Sequence, residues 1–495
     1  MSFGQETPPG VMDDAHRKAL GAWYTPDALV DRVVEGVLDA TWLAGRDQPV
    51  SVLDPACGDG RFLHAVRRRI ESLGGSCECM GVDIDPVAVR RVAGDGGVQA
   101  VLDDALHRQW GTTTFDLVIG NPPFRSQLAA TTSRGGASRH GGGPYADAAA
   151  EFLALASRLA DPDGGRFALV LPHSLLAARD AGPVRDAVDR RATMFWSWTS
   201  DERWFDAQVR VCALGFEVLD RTGAGAATPG GASWASVVNA ARGIPAVPIA
   251  ETDGRLGDRA RLNANFRDEY YGLVPAVADD ADGPPLITSG LIDPGSCRWG
   301  TVPVRFNKRD FVAPRVALDR LDARMRRWAA ARLVPKVLIA NQTSVIEAVA
   351  DADGSWLPGV PVVAVYPGAS ERRSGELPLE PVHRPVSVWE AAAVLTSPYA
   401  TAWAWDRQGG TGLSATTIRL SPTLLAELPW PTGGLDAAVE ALRRGEVIAC
   451  GSAVDAAYGV PDEARLDWWR ARVERSVRRP VRARPSDVSD GGGVG

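Results

Sequence analysis

The chain has 495 residues, 45% hydrophobic and 23% charged, and at about 100–200 residues per domain this length predicts two to four domains. No uninterrupted apolar stretch is long enough to cross a bilayer, and the first residues (MSFGQETPPGVMDDA) lack the basic and apolar segments of a signal peptide, so no membrane association is expected. The net charge of -7 argues against a non-specific polycation, and the six cysteines (57, 77, 79, 212, 297, 450), with no CxxC or histidine partner, predict neither a disulfide framework nor a metal site, as suits a reducing cytoplasm.

From residue 16 to 220, short apolar runs alternate with helical stretches. The runs are VSVLD (50–54), CMGVDI (79–84), VQAVLD (98–103), FDLVIGN (115–121) and RFALVLP (166–172). Buried strands separated by helices predict an α/β doubly wound, mostly parallel sheet whose ligand crevice lies at the carboxyl ends of the strands. Asp54, Asp83, Asp103, Asp104 and Asn121 all fall at such ends.

The first of these ends opens DPACGDGRFL (54–63). Gly58 and Gly60 let the backbone approach a ligand, and Asp83, ending the next strand, is placed to grip a ribose diol. An ordinary glycine-rich turn would look the same. Asp54 shifts the balance: an acid inside the turn repels pyrophosphate and suits a cationic ligand such as S-adenosylmethionine. The fourth run ends in IGNPPF (119–124). Pro122 and Pro123 remove two N–H donors, leaving carbonyls as bare acceptors. With the Asn121 side chain they form an acceptor pair for an NH₂ group, and Phe124 offers a flat face. Asn and Pro are also ordinary turn residues.

The loop 125–144 is glycine-rich around Arg134 and Arg139, which suits a surface loop or a phosphate-touching flap. Residues 221–283 are expected to be a connector, partly ordered around 265–273, after a first domain of 1–220. A second domain of strands and helices is predicted over 284–435, a helical segment over 436–480, and a disordered tail over 481–495. Basic residues concentrate at 298–340, where eleven Arg and Lys face Asp310, Asp319 and Asp322, and again at 470–485. Arg324 and Arg327, in RVALDRLDARMRRW (315–328), are candidate DNA contacts; a solvated Arg-rich helix face is the plainer reading.

Taken together, these motifs resemble the N6-adenine DNA methyltransferases, in which cofactor motifs precede a catalytic NPPF and a target-recognition domain. The resemblance spans most of the chain. It implies a class I S-adenosylmethionine-dependent methyltransferase fold with a second, α+β target-recognition domain. In GAWYTPDALVD (21–31), Tyr24, Thr25 and Pro26 would border the methionine part of the cofactor. DPACGDG, with Asp54, Pro55, Ala56, Gly58 and Gly60, corresponds to the main cofactor loop. Asp83 would bind the ribose, Ile84 would lie against the cofactor adenine, and Asp104 would take its amino group. Asn121, Pro122, Pro123 and Phe124 would be the catalytic motif, and Phe205, in RWFDAQVRVCALGF (203–216), a second aromatic face. The implied substrate is an adenine flipped out of double-stranded DNA.

The resemblance implies a site-specific adenine-N6 methyltransferase in a restriction-modification or phage-defence setting, with a separate restriction or defence protein as partner. A glutamine-amide methyltransferase, which presents a similar NH₂, and a DNA-specificity subunit with little activity alone are the competing readings. Cytosine-N4 methylation also stays open on NPPF alone.

Overall fold

The computed structural model describes residues 25–44, 46, 48–94, 96–124, 140–143, 146–200, 202, 204–205, 210–219, 234–264, 267–368, 384–409, 412 and 416–477. Two compact units emerge: residues 1–243 with 407–411, and residues 244–406 with 412–495.

In the first unit, β1 (Val50–Asp54), β2 (Cys77–Asp83), β3 (Val98–Leu102), β4 (Leu117–Gly120) and β5 (Arg166–Pro172) are joined by α1 (Asp27–Val37) ahead of them, α2 (Arg61–Ser72), α3 (Pro86–Gly94) and α4 (Ala148–Leu159). After α5 (Gly182–Asp189) come β6 (Ala192–Thr199), β7 (Val211–Val218) and α6 (Ala235–Ala241). The sheet order is β3-β2-β1-β4-β5-β7-β6. β1 to β5 are parallel, and β7 runs antiparallel to both β5 and β6.

Side-chain alternation sends each strand's residues into two apolar layers. Phe167, Leu169 and Leu171 of β5 join Leu53, Val118 and the buried face of α4 on one side. Ala168 and Val170 join Val52, Leu117, Ile119, α1 and α2 on the other. Helices therefore cover both faces, as buried parallel strands require. α1 contributes Leu29, Val30, Val33, Val34 and Val37, the spacing of one helical face. β1 and β4 are clamped near their amino ends: Ser51 donates through N and Oγ to Asp116 Oδ2, at 2.8 and 2.7 Å, and Arg46 pairs with the same carboxylate. The chain runs outward through β1, β2 and β3 and then returns to lay β4 against β1. The order reverses there, and it is at the carboxyl ends flanking such a reversal that open α/β sheets hold their ligands.

The second unit has an antiparallel sheet of β8 (Ala260–Ala264), β9 (Lys336–Ala340), β10 (Ala348–Asp351) and β11 (Val362–Pro367), in the order β10-β9-β11-β8. One face packs on α8 (Val388–Leu395), α9 (Pro398–Gln408), α10 (Asp436–Arg443) and α11 (Val447–Ala457); α12 (Glu463–Val477) follows. The stretch 244–283, expected within a connector, lies in this unit, and β8 is an edge strand of its sheet. ARLNA is too short and too polar to announce a strand by alternation alone; pairing with Val362–Pro367 supplies what the local pattern lacks.

A smaller core holds Phe306 and Phe311 of a hairpin together with Met325 and Trp328 of α7 (Ala323–Ala330). The hairpin turns through Asn307 and Lys308, both at positive φ (47° and 62°), as a tight two-residue turn demands. Among the described residues no helix is long and apolar enough to cross a membrane.

Candidate active site

The site is built from the loops that follow β1, β2, β3 and β4. After Asp54 the chain turns through Pro55, Ala56 and Cys57 into Gly58 (φ +52°) and Gly60 (φ +82°) before α2 begins. A Cβ at Gly58 would meet nothing within 4 Å, so this backbone faces open space. Gly58 N donates to Asp83 Oδ2 at 2.8 Å, and Asp85 N donates to Asp83 Oδ1 at 2.8 Å. Asp83 therefore braces the glycine loop and keeps one lone pair on each oxygen for a ligand. Burial pushes its carboxyl above the ordinary range.

Asp54 is buried to 2% exposure, and its Oδ1 accepts from Ala56 N at 3.0 Å. Burial, aided by the charges of Asp83 and Asp59, pushes its carboxyl up to about 8. Its outer wall is β4. A Cβ on Gly120 would lie 2.4 Å from Asp54 Oδ1 and 2.9 Å from its Cγ, so only glycine fits beside this carboxyl. Gly120 thus sets the distance between the glycine loop after β1 and the next residue, Asn121. Sequence reading quoted Gly120 within its motif but gave it no role; a glycine closing a buried strand was the available signal.

Asn121 donates through Nδ2 to Thr25 Oγ1 at 2.9 Å. This bond orients the amide, so that Oδ1 is its acceptor end. Thr25, expected at the methionine part of a cofactor, is buried and holds the catalytic candidate in place. Pro26 caps α1 immediately after it. Tyr24 lies outside the described residues, as do Arg134 and Arg139. Pro122 is buried, while Pro123 and Phe124 are half-buried.

Phe124 and Phe205 meet with ring centroids 6.2 Å apart at 86°. The structure thus brings together the two rings that sequence reading paired, and sets Trp204 against Trp198 instead. The perpendicular arrangement is not a parallel slot: it leaves room for a flat group to stack on one ring, not between the two.

Around the β2 and β3 ends, Ile84 is 53% and Leu102 57% exposed, an unusual pair of large apolar side chains facing solvent on neighbouring strands. Ile84 was expected here; Leu102 was missed, because a leucine ending an apolar run reads as core. Asp104 accepts from Leu106 N at 3.0 Å and lies 2.7 Å from His107 Nδ1, which fixes the turn beyond β3. His140 Nε2 sits 3.1 Å from the Leu106 carbonyl and its backbone N donates to Glu151, tying the end of the glycine-rich stretch to this turn and to α4. Among the described residues no cluster of His, Cys, Asp and Glu could hold a metal ion.

In the second unit, Arg324 and Arg327 lie on the exposed side of α7 beside Arg326, with Met325, Trp328 and Ala329 turned inward.

Residues 12–188 match the N-6 DNA Methylase family model. A type II methyltransferase, M.TthHB8I of Thermus thermophilus, is 39% identical over 117 residues, 24% of each chain. The MjaIX methylase subunit of a type I restriction enzyme from Methanocaldococcus jannaschii is 31% identical over 126 residues, 23% of this chain and 21% of its own. The matches thus span about a quarter of these curated relatives. Among solved structures, a type I restriction-modification methyltransferase subunit from Streptococcus thermophilus superimposes with a TM-score of 0.33 at 19% identity, over 41% of this chain and 45% of that one.

Proposed function

We propose that the chain is a site-specific DNA methyltransferase that moves a methyl group from S-adenosylmethionine to N6 of an adenine rotated out of double-stranded DNA. One observation carries the reading: the Asp54 carboxyl packs directly on Gly120, so the cofactor loop and the Asn121–Phe124 motif share one crevice. The residues present fit the cofactor. A buried carboxyl without a cationic partner among the described residues suits a positive ligand, the open Gly58 backbone admits close approach, and exposed Ile84 and Leu102 flank a place for an adenine ring. Asp83 would hold the ribose, and Asp104 the adenine amino group. When bound, the cofactor supplies an electrophilic methyl on a sulfonium.

The chain's own residues do the rest. Asn121 Oδ1 and the Pro122 carbonyl accept from the two hydrogens of the target NH₂, which holds the nitrogen lone pair out of conjugation and toward the donor. Thr25 fixes the amide against rotation. Phe124 stacks on the base, with Phe205 packed against that ring. Alignment of nucleophile and donor lowers the barrier without a covalent intermediate. Arg324 and Arg327 of the second unit would contact phosphate and position the duplex, with that unit as the target-recognition domain; the type II methyltransferase and type I methylase-subunit names of the relatives support a restriction-modification setting, for which a separate restriction or defence protein would be the partner.

The test is transfer from methyl-labelled S-adenosylmethionine to duplex DNA, followed by nucleoside analysis. N6-methyladenine is the expected product. N4-methylcytosine would correct the base and keep the pocket; label on protein would move the reading to a glutamine-amide acceptor; no label in any acceptor would refute it for the chain acting alone.

A further inference from the structure

Asp54 is an odd residue to bury at a ligand site. Its Oδ1 receives one backbone hydrogen bond, from Ala56. On the β4 side it faces uncharged Gly120. On the β2 side stands Asp83, whose oxygens are braced by Gly58 N and Asp85 N. In its own loop lie the Cys57 thiol, itself pushed up by burial, and Asp59, which is taken by Arg61 at 2.8 Å. Arg61 also reaches Asp27 and the Thr25 carbonyl, at 3.2 Å each, so it is committed elsewhere. Among the described residues no cation pairs with Asp54. A carboxylate so buried, with one donor and two like charges nearby, is favoured in its neutral form.

Resting on the reading of this site as a methyl-donor site, we infer that Asp54 makes the enzyme select its donor over its product by charge: the cationic donor binds with release of a proton from Asp54, and the neutral product binds without it. S-adenosylmethionine carries a sulfonium that S-adenosylhomocysteine lacks. The sulfonium favours the ionised carboxyl; the thioether leaves Asp54 protonated. Burial holds that carboxyl at about 8 in the free protein, so near neutral pH the proton has to leave for the donor to bind tightly. Methyl transfer breaks the sulfonium S–CH₃ bond and forms the N6–CH₃ bond, the methylated nitrogen gives its surplus proton to solvent, and Asp54, no longer opposite a sulfonium, takes one proton back from solvent; the product then meets a site built for its precursor.

Calorimetric titration of the full chain with each ligand, in buffers of different ionisation enthalpy, reads both affinity and protons. Relative to the Asp54→Asn variant, the donor's Kd is expected to fall close to tenfold per pH unit between about pH 6 and 7.5, with about one proton released; the product's Kd should move less than about twofold. Equal proton release for both ligands, or an Asp54→Asn protein that keeps the wild-type donor profile, would overturn the inference while leaving the cofactor site in place. Failure of both ligands to bind at any pH would overturn the cofactor reading itself. Should the variant not fold, the wild-type difference between donor and product still decides.

Discussion

Gly120→Ala places a methyl group where the Asp54 carboxyl already stands. The new Cβ would lie 2.4 Å from Oδ1, 2.9 Å from Cγ and 3.2 Å from Oδ2, all well inside van der Waals contact. Neither side can retreat easily. β4 is paired with β1 on one side and with β5 on the other, and Asp54 is held by Ala56 N within a fully buried wall. Overpacking of this kind costs about 1–3 kcal/mol, which for a unit of this size lowers Tm by roughly 2–12 °C. The strain falls on the two ends that form the crevice, so donor affinity should fall together with stability. Differential scanning calorimetry and donor titration read both. The double variant Asp54→Ala/Gly120→Ala removes the obstructing carboxyl and should recover much of the lost stability, giving a coupling energy of about 1 kcal/mol or more. An unchanged Tm and Kd in Gly120→Ala, or strictly additive effects in the double variant, would refute the packing of Asp54 on Gly120.

Other substitutions separate the roles of the remaining residues. Asn121→Ala should reduce methyl transfer by at least about a hundredfold, since it removes a positioned acceptor, while donor titration should show the cofactor still bound. Asp54→Asn should stabilise the ligand-free protein increasingly as pH rises: the carboxyl, ordinarily near 3.8, is held at about 8 in the fold, so between those values the unfolded chain is ionised, the folded one is not, and wild-type stability declines with pH. Thermal melts of both proteins at pH 5 and pH 8 read the divergence; parallel curves would contradict it. Charge reversal at Arg324 and Arg327 should weaken duplex binding at every sequence and reduce the salt dependence of affinity by about one phosphate contact per residue, leaving donor affinity unchanged.

What the sequence made legible was the chemistry at strand ends. Gly58, Gly60, Pro122 and Pro123 announce themselves because their backbone constraints are local, and an acid or amide closing an apolar run marks the ligand edge of a parallel sheet. Relations between distant segments stayed hidden. The bond from Asn121 to Thr25 spans 96 positions, and Leu102 became visible as a surface residue only once β3 proved to be the sheet's edge. The Phe124–Phe205 pairing was anticipated, but the perpendicular setting of the rings depends on packing that no motif encodes. In the second unit, signals were weaker still: β8 is a strand by virtue of β11, and the turn at Asn307 and Lys308 lacks the glycine that usually marks such a hairpin.

The central claim, that Asn121 presents a flipped base to a donor held against Asp54, is tested most directly by sequencing the methylome of a host expressing this chain beside one expressing the Asn121→Ala variant. N6-methyladenine at one recurring motif, present with the parent and lost with the variant, is the predicted result. Equal methylation in both hosts would place the chemistry elsewhere and contradict the account.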